Sequence, residues 1–334
     1  MIESKIIEEI ASSWDKNAED KIKKRKPFRD RVKNETVLFL IKKGIVKKDK
    51  LYHYGFSREY YLGYKKKRFK APVICCDHSK VKFINESNKK DLINIYKKIN
   101  LFKYFQSKND DLNSILDRDQ NFFHDNNRRK KLISGLVKNQ FWVDFACGYG
   151  GMLFKLSKVC KRCVGIEVIK SAIDILKKKN FEIYSNINQI NNNSVDVITI
   201  FQSFELLNDH IKYLKLFHKK LKKRGKLIIE TNNTNKALLG LYNNPGYKKF
   251  ITSYRRVMYT EKAIKCLLEQ TGFNNIDVKY QQRYKLSNHL GWLTYNKAGK
   301  NILMFDNYKL NKIYSNILIN RKLSDTLFII CNKK

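Results

Sequence analysis

Apolar residues are spaced differently in the two parts of the chain. In residues 1–50 they recur at helical intervals, first at Ile6, Ile7, Ile10 and Trp14 and then at Val37, Leu38 and Ile41. Gly44 follows the second group, where a helix commonly ends. With a further strand expected over 71–76 and helices over 88–105 and 112–116, the pattern predicts a mainly helical N-terminal region.

From residue 139 onward, short apolar runs alternate with amphipathic stretches. Strands are predicted over 141–145, 163–168, 181–184, 195–201, 227–230, 276–280 and 326–330, and helices over 152–159, 171–179, 210–221 and 260–271. This alternation predicts an α/β domain with a parallel sheet covered on both faces, whose ligands lie at the carboxyl edge of the strands. The polar stretch 121–131 is interpreted as a linker.

Composition narrows the class of protein. The chain has 334 residues, of which 43% are hydrophobic, with 3 Pro and 14 Gly, which excludes collagen-like and Pro/Gly-rich disordered chains. Apolar runs of about five residues are far shorter than the roughly 20 that a membrane span requires. The acidic start, with Glu3, Glu8 and Glu9, does not resemble a secretory signal. Seven Cys, an odd number, favour reduced thiols and a cytoplasmic location.

The chain is strongly basic, with 69 Lys and Arg against 31 Asp and Glu and a net charge of +38. The excess is spread over the whole length. Such a field attracts a polyanion, namely RNA, DNA or an anionic membrane face, or a smaller phosphorylated substrate, so nucleic acid stays a candidate partner. Tyrosines over 52–64 interleave with Arg58 and Lys65–Lys67. This run fits either base stacking with phosphate binding or a packed helical cap with a solvated basic face.

A glycine-rich loop is the sharpest local motif. Val143-Asp144-Phe145-Ala146-Cys147-Gly148-Tyr149-Gly150-Gly151 lies between a predicted strand and a predicted helix. Glycines there accept positive φ and let the backbone approach a ligand. Glu167 ends the next strand, where a carboxylate can bind both hydroxyls of a ribose. The loop therefore predicts a nucleotide-type ligand, although it lacks the spacing of the phosphate-binding and dinucleotide motifs.

The pattern D-x-A-x-G-x-G-G resembles the first motif of class I S-adenosylmethionine-dependent methyltransferases. The resemblance implies a Rossmann-like, doubly wound, seven-stranded sheet, parallel with one antiparallel strand, and S-adenosylmethionine as cofactor. It implies that Asp144 lies near the methionine amino group and that Glu167 binds the ribose. It also implies that Gly148 and Gly150 line the cofactor. Ala146 and Phe201 are further cofactor candidates, and Gln202, at the tip of the fourth strand, is expected to face the cofactor or the acceptor.

The C-terminal half resembles one branch of these enzymes, which is associated with surface-polysaccharide and sugar biosynthesis. The matching stretches are 195–201, 221–233, 237–242 and 325–327, and above all Gln282-Arg283-Tyr284-Lys285-Leu286-Ser287-Asn288-His289-Leu290-Gly291-Trp292-Leu293. The resemblance covers roughly residues 128–334. It implies O-methylation of a sugar hydroxyl, in glycan or nucleotide-sugar metabolism, with a sugar or phosphorylated small molecule as acceptor.

The chain departs from this branch at three places. Histidines expected after the fourth strand are absent from Gln202-Ser203-Phe204-Glu205-Leu206-Leu207, and Arg255 or Arg256 replaces another. An expected Gly-Gly-His is Ala298-Gly299-Lys300-Asn301. These losses leave the cofactor loop intact and leave open a different acceptor or a weaker enzyme.

Four residues are candidates for the acceptor chemistry. His289 is the candidate base, because an imidazole with a pKa of about 6.5 suits proton removal near neutrality. The connection 285–324 must emerge at the carboxyl edge and is the expected acceptor lid. Arg283 and Tyr284 would hold an acceptor phosphate or hydroxyl, and Glu205 would be a site acid. The structural alternatives are a histidine that orients its segment, a surface pair, and the first turn of a helix.

The sequence predicts two parts of the chain and leaves three functions open. Residues 1–127 form the N-terminal region, a candidate acceptor-binding cap, and residues 128–334 form the methyltransferase domain. No metal site is assigned, although Cys160-x-x-Cys163 with Cys75-Cys76 has the donors for zinc. The alternatives to the sugar enzyme are an RNA (cap or tRNA) methyltransferase and a non-catalytic protein of the same fold that serves as a partner or binding module. The oligomeric state is not indicated.

Overall fold

The computed structural model describes residues 25–56, 60–62, 67–69, 72–86, 124–251, 255–297 and 299–334. The helices there are α1 (Glu35–Lys42), α2 (His124–Val137), α3 (Gly151–Leu156), α4 (Lys170–Lys178), α5 (His210–Lys220), α6 (Ala237–Gly240), α7 (Pro245–Ile251), α8 (Glu261–Glu269), α9 (Leu286–Tyr295) and α10 (Tyr308–Asn320). The strands are β1 (Leu51–Phe56), β2 (Tyr60–Leu62), β3 (Lys67–Phe69), β4 (Pro72–Cys76), β5 (Lys82–Ile84), β6 (Phe141–Phe145), β7 (Arg162–Ile166), β8 (Glu182–Tyr184), β9 (Val195–Phe201), β10 (Leu221–Asn232), β11 (Val257–Met258), β12 (Phe273–Gln281) and β13 (Thr326–Lys333).

A seven-stranded sheet forms the centre of the molecule, with the order β12-β13-β10-β9-β6-β7-β8. Neighbouring strands from β10 to β8 pair in parallel, whereas β13 runs antiparallel to both β10 and β12. The predicted α/β fold with one antiparallel strand is confirmed. Strand β6 is buried at every position because helices cover both faces of the sheet, which explains its continuous apolar sequence.

The strand order reverses between β6 and β9, so the loops after these two strands diverge and open a crevice at the carboxyl edge. The loop after β6 is the glycine loop, and β9 ends at Phe201. The connection between β12 and β13, which contains α9 and α10, emerges at the same edge. The sheet therefore brings the predicted cofactor loop and the predicted lid to one side of the molecule.

The described part of the N-terminal region differs from the prediction of a mainly helical region. Helix α1 forms where the apolar spacing predicts it, and the Asn34 side chain caps it by accepting from the Val37 amide. Apart from one 3₁₀ turn, the other described elements of this region are strands, and β1, β4 and β5 join β11 in an antiparallel four-stranded sheet. Strand β1 buries Leu51 and Tyr54, three residues apart, so its burial does not show the two-residue period by which a strand is recognised. The helices predicted over 88–105 and 112–116 lie outside the described residues.

Two features cross the predicted boundary between residues 127 and 128. Helix α2 spans it, so the stretch interpreted as a linker is helical from His124. Strand β11 belongs to the C-terminal part of the chain and yet pairs with β5, through Val257 and Phe83. The division into two parts stays a prediction, and helix α2 and this sheet are among the elements that join them.

In the tyrosine-rich run, Tyr54 is buried and its ring lies 3.8 Å from Lys248 Nζ and 5.0 Å from Lys82 Nζ. Tyr52 contacts the Arg25 guanidinium at 4.6 Å. These two rings therefore contact cationic side chains of the protein itself. They lie on a strand, not on a helical cap. Arg58, Tyr64 and Lys65 lie outside the described residues. No helix in the described part of the chain has the length and apolar character to cross a membrane.

Candidate active site

The glycine loop connects β6 to α3 through three residues with left-handed backbone. Ala146, Gly148 and Gly150 have φ of 58°, 59° and 83°. A Cβ at Gly150 would approach Leu176 Cδ2 to 2.5 Å, so the Leu176 side chain on α4 would have to shift, and the left-handed backbone also favours glycine there. A Cβ at Gly148 would meet nothing within 4 Å. The space above Gly148 is open, as a ligand that approaches the backbone requires.

Glu167 follows β7 and faces this loop. Its carboxylate accepts hydrogen bonds from the amides of Gly148 (2.8 Å), Val168 (2.7 Å) and Ile169 (3.0 Å). Burial raises the pKa of Glu167, and the three amides act in the opposite direction. The predicted ribose-binding acid and the glycine loop are therefore in direct contact.

Asp144 lies deeper, on β6. It is buried and accepts from Thr199 Oγ1 on β9 at 2.7 Å, and Thr199 in turn accepts from Trp142 Nε1 at 2.9 Å. This chain of bonds ties the two strands that border the crevice. Sequence reasoning did not single out Thr199, since a threonine within a strand carries no signal of such a role.

At the end of β9, Phe201 and Gln202 line the crevice. The Arg129 guanidinium lies 4.8 Å from the Phe201 ring centroid. Gln202 has a φ of 52°; its Nε2 donates to Glu230 Oε1 (3.1 Å) and its Oε1 accepts from Asn232 Nδ2 (2.8 Å). These contacts connect the end of β9 with β10.

Glu230 is the centre of a buried ion cluster that sequence reasoning missed. It is fully buried on β10 and binds Arg128 (2.6 Å) and Arg129 (2.7 Å), both from α2. Burial alone would raise the pKa of Glu230, but the Arg129 and Arg128 guanidiniums lower it to about 2. The polar sequence of α2 concealed this role, because its arginines look like those of a solvated linker.

Arg283, a predicted acceptor contact, belongs to the same cluster. Its guanidinium forms a bidentate ion pair with Asp125 of α2, which also binds Arg128 at 3.0 Å. Burial opposes ionisation of Asp125, yet the Arg283 guanidinium holds its pKa well below the usual range. Tyr284, the next residue, is 39% exposed. Arg283 is therefore held in a buried ion pair, whereas the ring of Tyr284 is accessible.

Glu205 is fully buried in the turn after β9. It accepts from Thr231 Oγ1 (2.7 Å) and Asn232 Nδ2 (2.6 Å), and Arg255 Nε lies 3.5 Å away. Arg255 therefore lies beside a fully buried acid. The neighbouring Arg256 is buried and donates to Asn208.

His289 is 1% exposed and lies between two partners. Its Nδ1 is 2.7 Å from the Tyr314 hydroxyl on α10, and its Nε2 is 3.5 Å from Asp325 Oδ1. Burial by itself raises the pKa of Asp325, and the neighbouring His289 imidazole lowers it. Burial raises the pKa of Tyr314, so that its hydroxyl keeps its proton. Tyr314 is a residue that the sequence analysis did not find.

Lys236, which follows β10, is a further buried titratable group. Its ammonium donates to Asn232 Oδ1 (2.6 Å) and to the Tyr247 hydroxyl (3.1 Å). Burial lowers the pKa of Lys236 to about 7. Lys236 and Gln202 thus both bind Asn232, which links the end of β9 to the segment after β10.

The cysteines do not gather into a site. All seven are free; Cys75 and Cys76 lie on β4, whereas Cys160 and Cys163 flank the start of β7. Within the described ranges, no group of three or more His, Cys, Asp or Glu side chains could hold a metal ion.

Comparison with known proteins identifies the domain type. Residues 116–278 match the family model described as a methyltransferase domain, and this range contains the glycine loop, Glu167 and Glu230. No curated protein sequence matches the chain.

Three similar solved structures have low sequence identity to the chain. A SAM-dependent methyltransferase from Archaeoglobus fulgidus is 16% identical, with 67% of this chain and 100% of that chain covered and a TM-score of 0.46. An S-adenosylmethionine-dependent methyltransferase from Mesorhizobium loti is 10% identical, covering 59% and 92%, with a TM-score of 0.41. A cyclopropane synthase from Mycobacterium tuberculosis is 16% identical, covering 62% and 83%, with a TM-score of 0.41.

The domain match and the sheet topology confirm three predictions: the chain has the Rossmann-like methyltransferase fold, it is a methyltransferase, and its cofactor is S-adenosylmethionine. The residues present fit this cofactor. The backbone at Gly148 is left open, and a buried carboxylate, Glu167, lies beside it where hydroxyl groups of a ribose can be bound.

Proposed function

We propose that this methyltransferase transfers a methyl group to a hydroxyl of a sugar. The observation that carries the proposal is the chain Tyr314–His289–Asp325 at the lid. A sugar hydroxyl is a poor nucleophile, so its methylation requires a group that removes the proton. A hydroxyl, an imidazole and a carboxylate in sequence have the arrangement that activates weak oxygen nucleophiles in other enzymes.

In the proposed mechanism, the proton of the acceptor passes to Tyr314. As the acceptor oxygen loses its proton to the Tyr314 oxygen, the Tyr314 proton moves to His289 Nδ1, 2.7 Å away. Asp325 then stabilises the resulting imidazolium through Nε2. His289 thus acts as the base through Tyr314, because both of its ring nitrogens face partners and its side chain is shielded from solvent. The tyrosine stays neutral before and after the transfer.

S-adenosylmethionine, when bound, supplies a methyl group already activated by the positive sulfur. The protein therefore mainly aligns the acceptor and removes its proton. We propose that Gly148, Gly150 and Ala146 carry the cofactor on their backbone, that Glu167 binds its ribose and that Asp144 lies near its amino group. Phe201 and Gln202 would border it on the β9 side.

The other predicted acceptor residues receive different roles. Glu205 and Arg283 are positioning residues, because Glu205 is bonded to Thr231 and Asn232 and Arg283 is paired with Asp125. Tyr284 is the acceptor contact, since its ring is accessible at the start of the lid.

The test supplies purified protein with S-adenosylmethionine labelled in the methyl group, and with free sugars, nucleotide sugars, sugar phosphates and RNA in separate reactions. We expect label in a saccharide. Tyr314→Phe should lower kcat by at least about a hundredfold and remove the acidic limb of the pH–rate profile, because it interrupts the proton path. Tyr308→Phe, an exposed tyrosine on the same helix, is the matched control and should behave as wild type.

If label enters RNA and no saccharide, the result would contradict the sugar acceptor and support the RNA methyltransferase alternative, which the net charge of +38 favours. An unchanged kcat in Tyr314→Phe with saccharide as acceptor would refute the proton path while leaving the acceptor in place.

A further inference from the structure

Exposed apolar side chains of the described residues concentrate on the lid. A 3₁₀ turn and α10 together present the residues that we call the lid patch: Leu303, Met304, Tyr308, Leu310, Ile313 and Ile317. At the tip, Leu303 is 74% and Met304 82% exposed, values that a folded protein rarely gives two adjacent large apolar residues. The patch needs a partner that accepts aliphatic side chains.

The lid patch is amphipathic along α10. Leu310, Ile313 and Ile317 follow at intervals of three and four residues and so share one face of the helix. On the adjoining side of the helix, Leu318 is buried and Tyr314 contacts His289. The helix is therefore anchored on its inner side and uncovered on its outer side.

The surroundings of the patch are basic. Between residues 285 and 322 the sequence has seven basic residues, Lys285, Lys297, Lys300, Lys309, Lys312, Arg321 and Lys322, and a single acid, Asp306. That acid is bonded to Lys285 at 2.8 Å. Lys309 and Lys312 are exposed on the same helix as the apolar face. Apolar side chains with flanking lysines are the pattern of a surface that lies on an anionic bilayer.

We propose that the lid patch docks on the surface of an anionic phospholipid bilayer, with Leu303 and Met304 entering the acyl boundary and Lys309 and Lys312 contacting the headgroups. Aliphatic side chains gain nothing from a phosphate backbone, whereas a bilayer receives both the apolar tip and the positive charge. This is why the observations favour a membrane over RNA for this surface. Helix α10, with 13 residues, lies on such a surface and does not cross it.

Docking would hold the opening of the lid against the membrane. Since α10 carries both the patch and Tyr314, the same helix connects the bilayer surface with the proposed proton path. For the proposed function this implies a saccharide carried on a membrane lipid. The lipid-linked saccharide rests on the proposed function, whereas the docking rests on the exposed surface alone.

The experiment is flotation of the full chain with phosphatidylcholine vesicles, with and without phosphatidylglycerol. Binding is expected only to the anionic vesicles and should weaken with salt. The double variant Leu303→Ser, Met304→Ser should reduce binding by about tenfold or more, because two large apolar side chains are lost from the contact. Lys309→Gln with Lys312→Gln should reduce it by about tenfold, and less in high salt.

Leu38→Ser is the matched control, since Leu38 is an exposed apolar residue on α1 outside the patch, and it should bind as wild type. Thermal unfolding of each variant checks that the fold is intact. Absence of binding to anionic vesicles overturns the proposal, and so does equal binding by the Leu303/Met304 variant. A wild-type dimer that this variant dissociates, without vesicle binding, would assign the patch to a second copy. Methyl transfer is not measured, so failure here leaves the proposed function untouched.

Discussion

The two sides of the carboxyl edge are built in different ways. On the side of β6 and β7, the site consists of backbone amides and glycines, with Glu167 bonded to amides from its own segment and from the glycine loop. On the side of β10 and β12, it consists of buried side-chain charges that come from distant segments, as in the bonds of Arg128 and Arg129 to Glu230. The first side is shaped by backbone conformation, and the second by charge compensation.

This difference predicts opposite sensitivities. A substitution on the cofactor side should act through steric strain and lost ligand contacts. A substitution on the acceptor side should act through uncompensated charge, which is costly in a buried position. The following predictions test the contrast, beginning with the largest expected effect.

Glu230→Gln should lower the free energy of unfolding by about 3 to 5 kcal/mol, because it removes the fully buried charge that pairs with two partly buried guanidiniums. Arg128 keeps its pair with Asp125, whereas Arg129 loses its ion pair with Glu230. Chemical denaturation measures the change. The matched control is Glu182→Gln, which breaks the exposed pair with Arg162 at the β8 edge and should cost at most about 1 kcal/mol. Similar losses in both variants would show that the buried cluster does not stabilise the acceptor side.

Gly150→Ala should lower the free energy of unfolding by about 2 to 4 kcal/mol, because it combines a left-handed backbone with a collision against Leu176. Gly148→Ala has a similar φ and no neighbour within 4 Å. It should cost only about 1 kcal/mol of strain while weakening cofactor binding. Denaturation and calorimetry with S-adenosylmethionine separate the two effects, and equal stability of both variants would contradict the packing argument.

Acid should destabilise the acceptor side. The pKa of Glu230 is about 2 in the folded protein, below its ordinary value of 4.5. The stability that its ionised form contributes is therefore present above pH 4.5 and is lost as the pH falls through 2, by about 2 to 3 kcal/mol. The pKa of Glu167 is raised instead, so its contribution rises as the pH falls.

Denaturation curves recorded from neutral to acidic pH measure this loss. Glu230→Gln should flatten the acid dependence, and Glu167→Gln should steepen it. The same slope in both variants would show that the two carboxylates do not differ in environment.

Glu167→Gln should weaken S-adenosylmethionine binding by about tenfold to a hundredfold, since a charged hydrogen-bond acceptor is replaced by a neutral group. Isothermal calorimetry gives the affinity, with Glu182→Gln on the next strand as the control. Undiminished affinity would remove Glu167 from the cofactor site and would leave the glycine loop alone to define it.

Most of the seven-stranded sheet could be predicted from the sequence, because the signals that indicate its strands lie within short stretches of the chain. The runs at 141–145 and 195–201 are strands with the expected bounds, and the glycines of the loop follow directly on β6. The apolar spacing, the turn residues and the glycine motif lie within a few positions of one another. They therefore indicate strands and a loop without information on distant contacts. Of the N-terminal sheet, the sequence predicted only β4, over 71–76, since the other strands are short and β11 comes from the other part of the chain.

The acceptor side could not be predicted in the same way. His289 and Arg283 were found through a family resemblance, yet their partners Tyr314, Asp325 and Asp125 lie 25, 36 and 158 positions away. Whether a charged side chain is buried and paired depends on which elements meet, and a sequence lists the charges without their neighbours.

By itself, then, the sequence determined the α/β class and the place of the glycine loop between a strand and a helix, since backbone geometry and strand period are local properties. Only the tertiary structure decided that α2 supplies the arginines for Glu230, and that α10 carries a tyrosine inward and an apolar face outward. Electrostatic compensation and burial are properties of segments brought together in space, and folding alone brings them together.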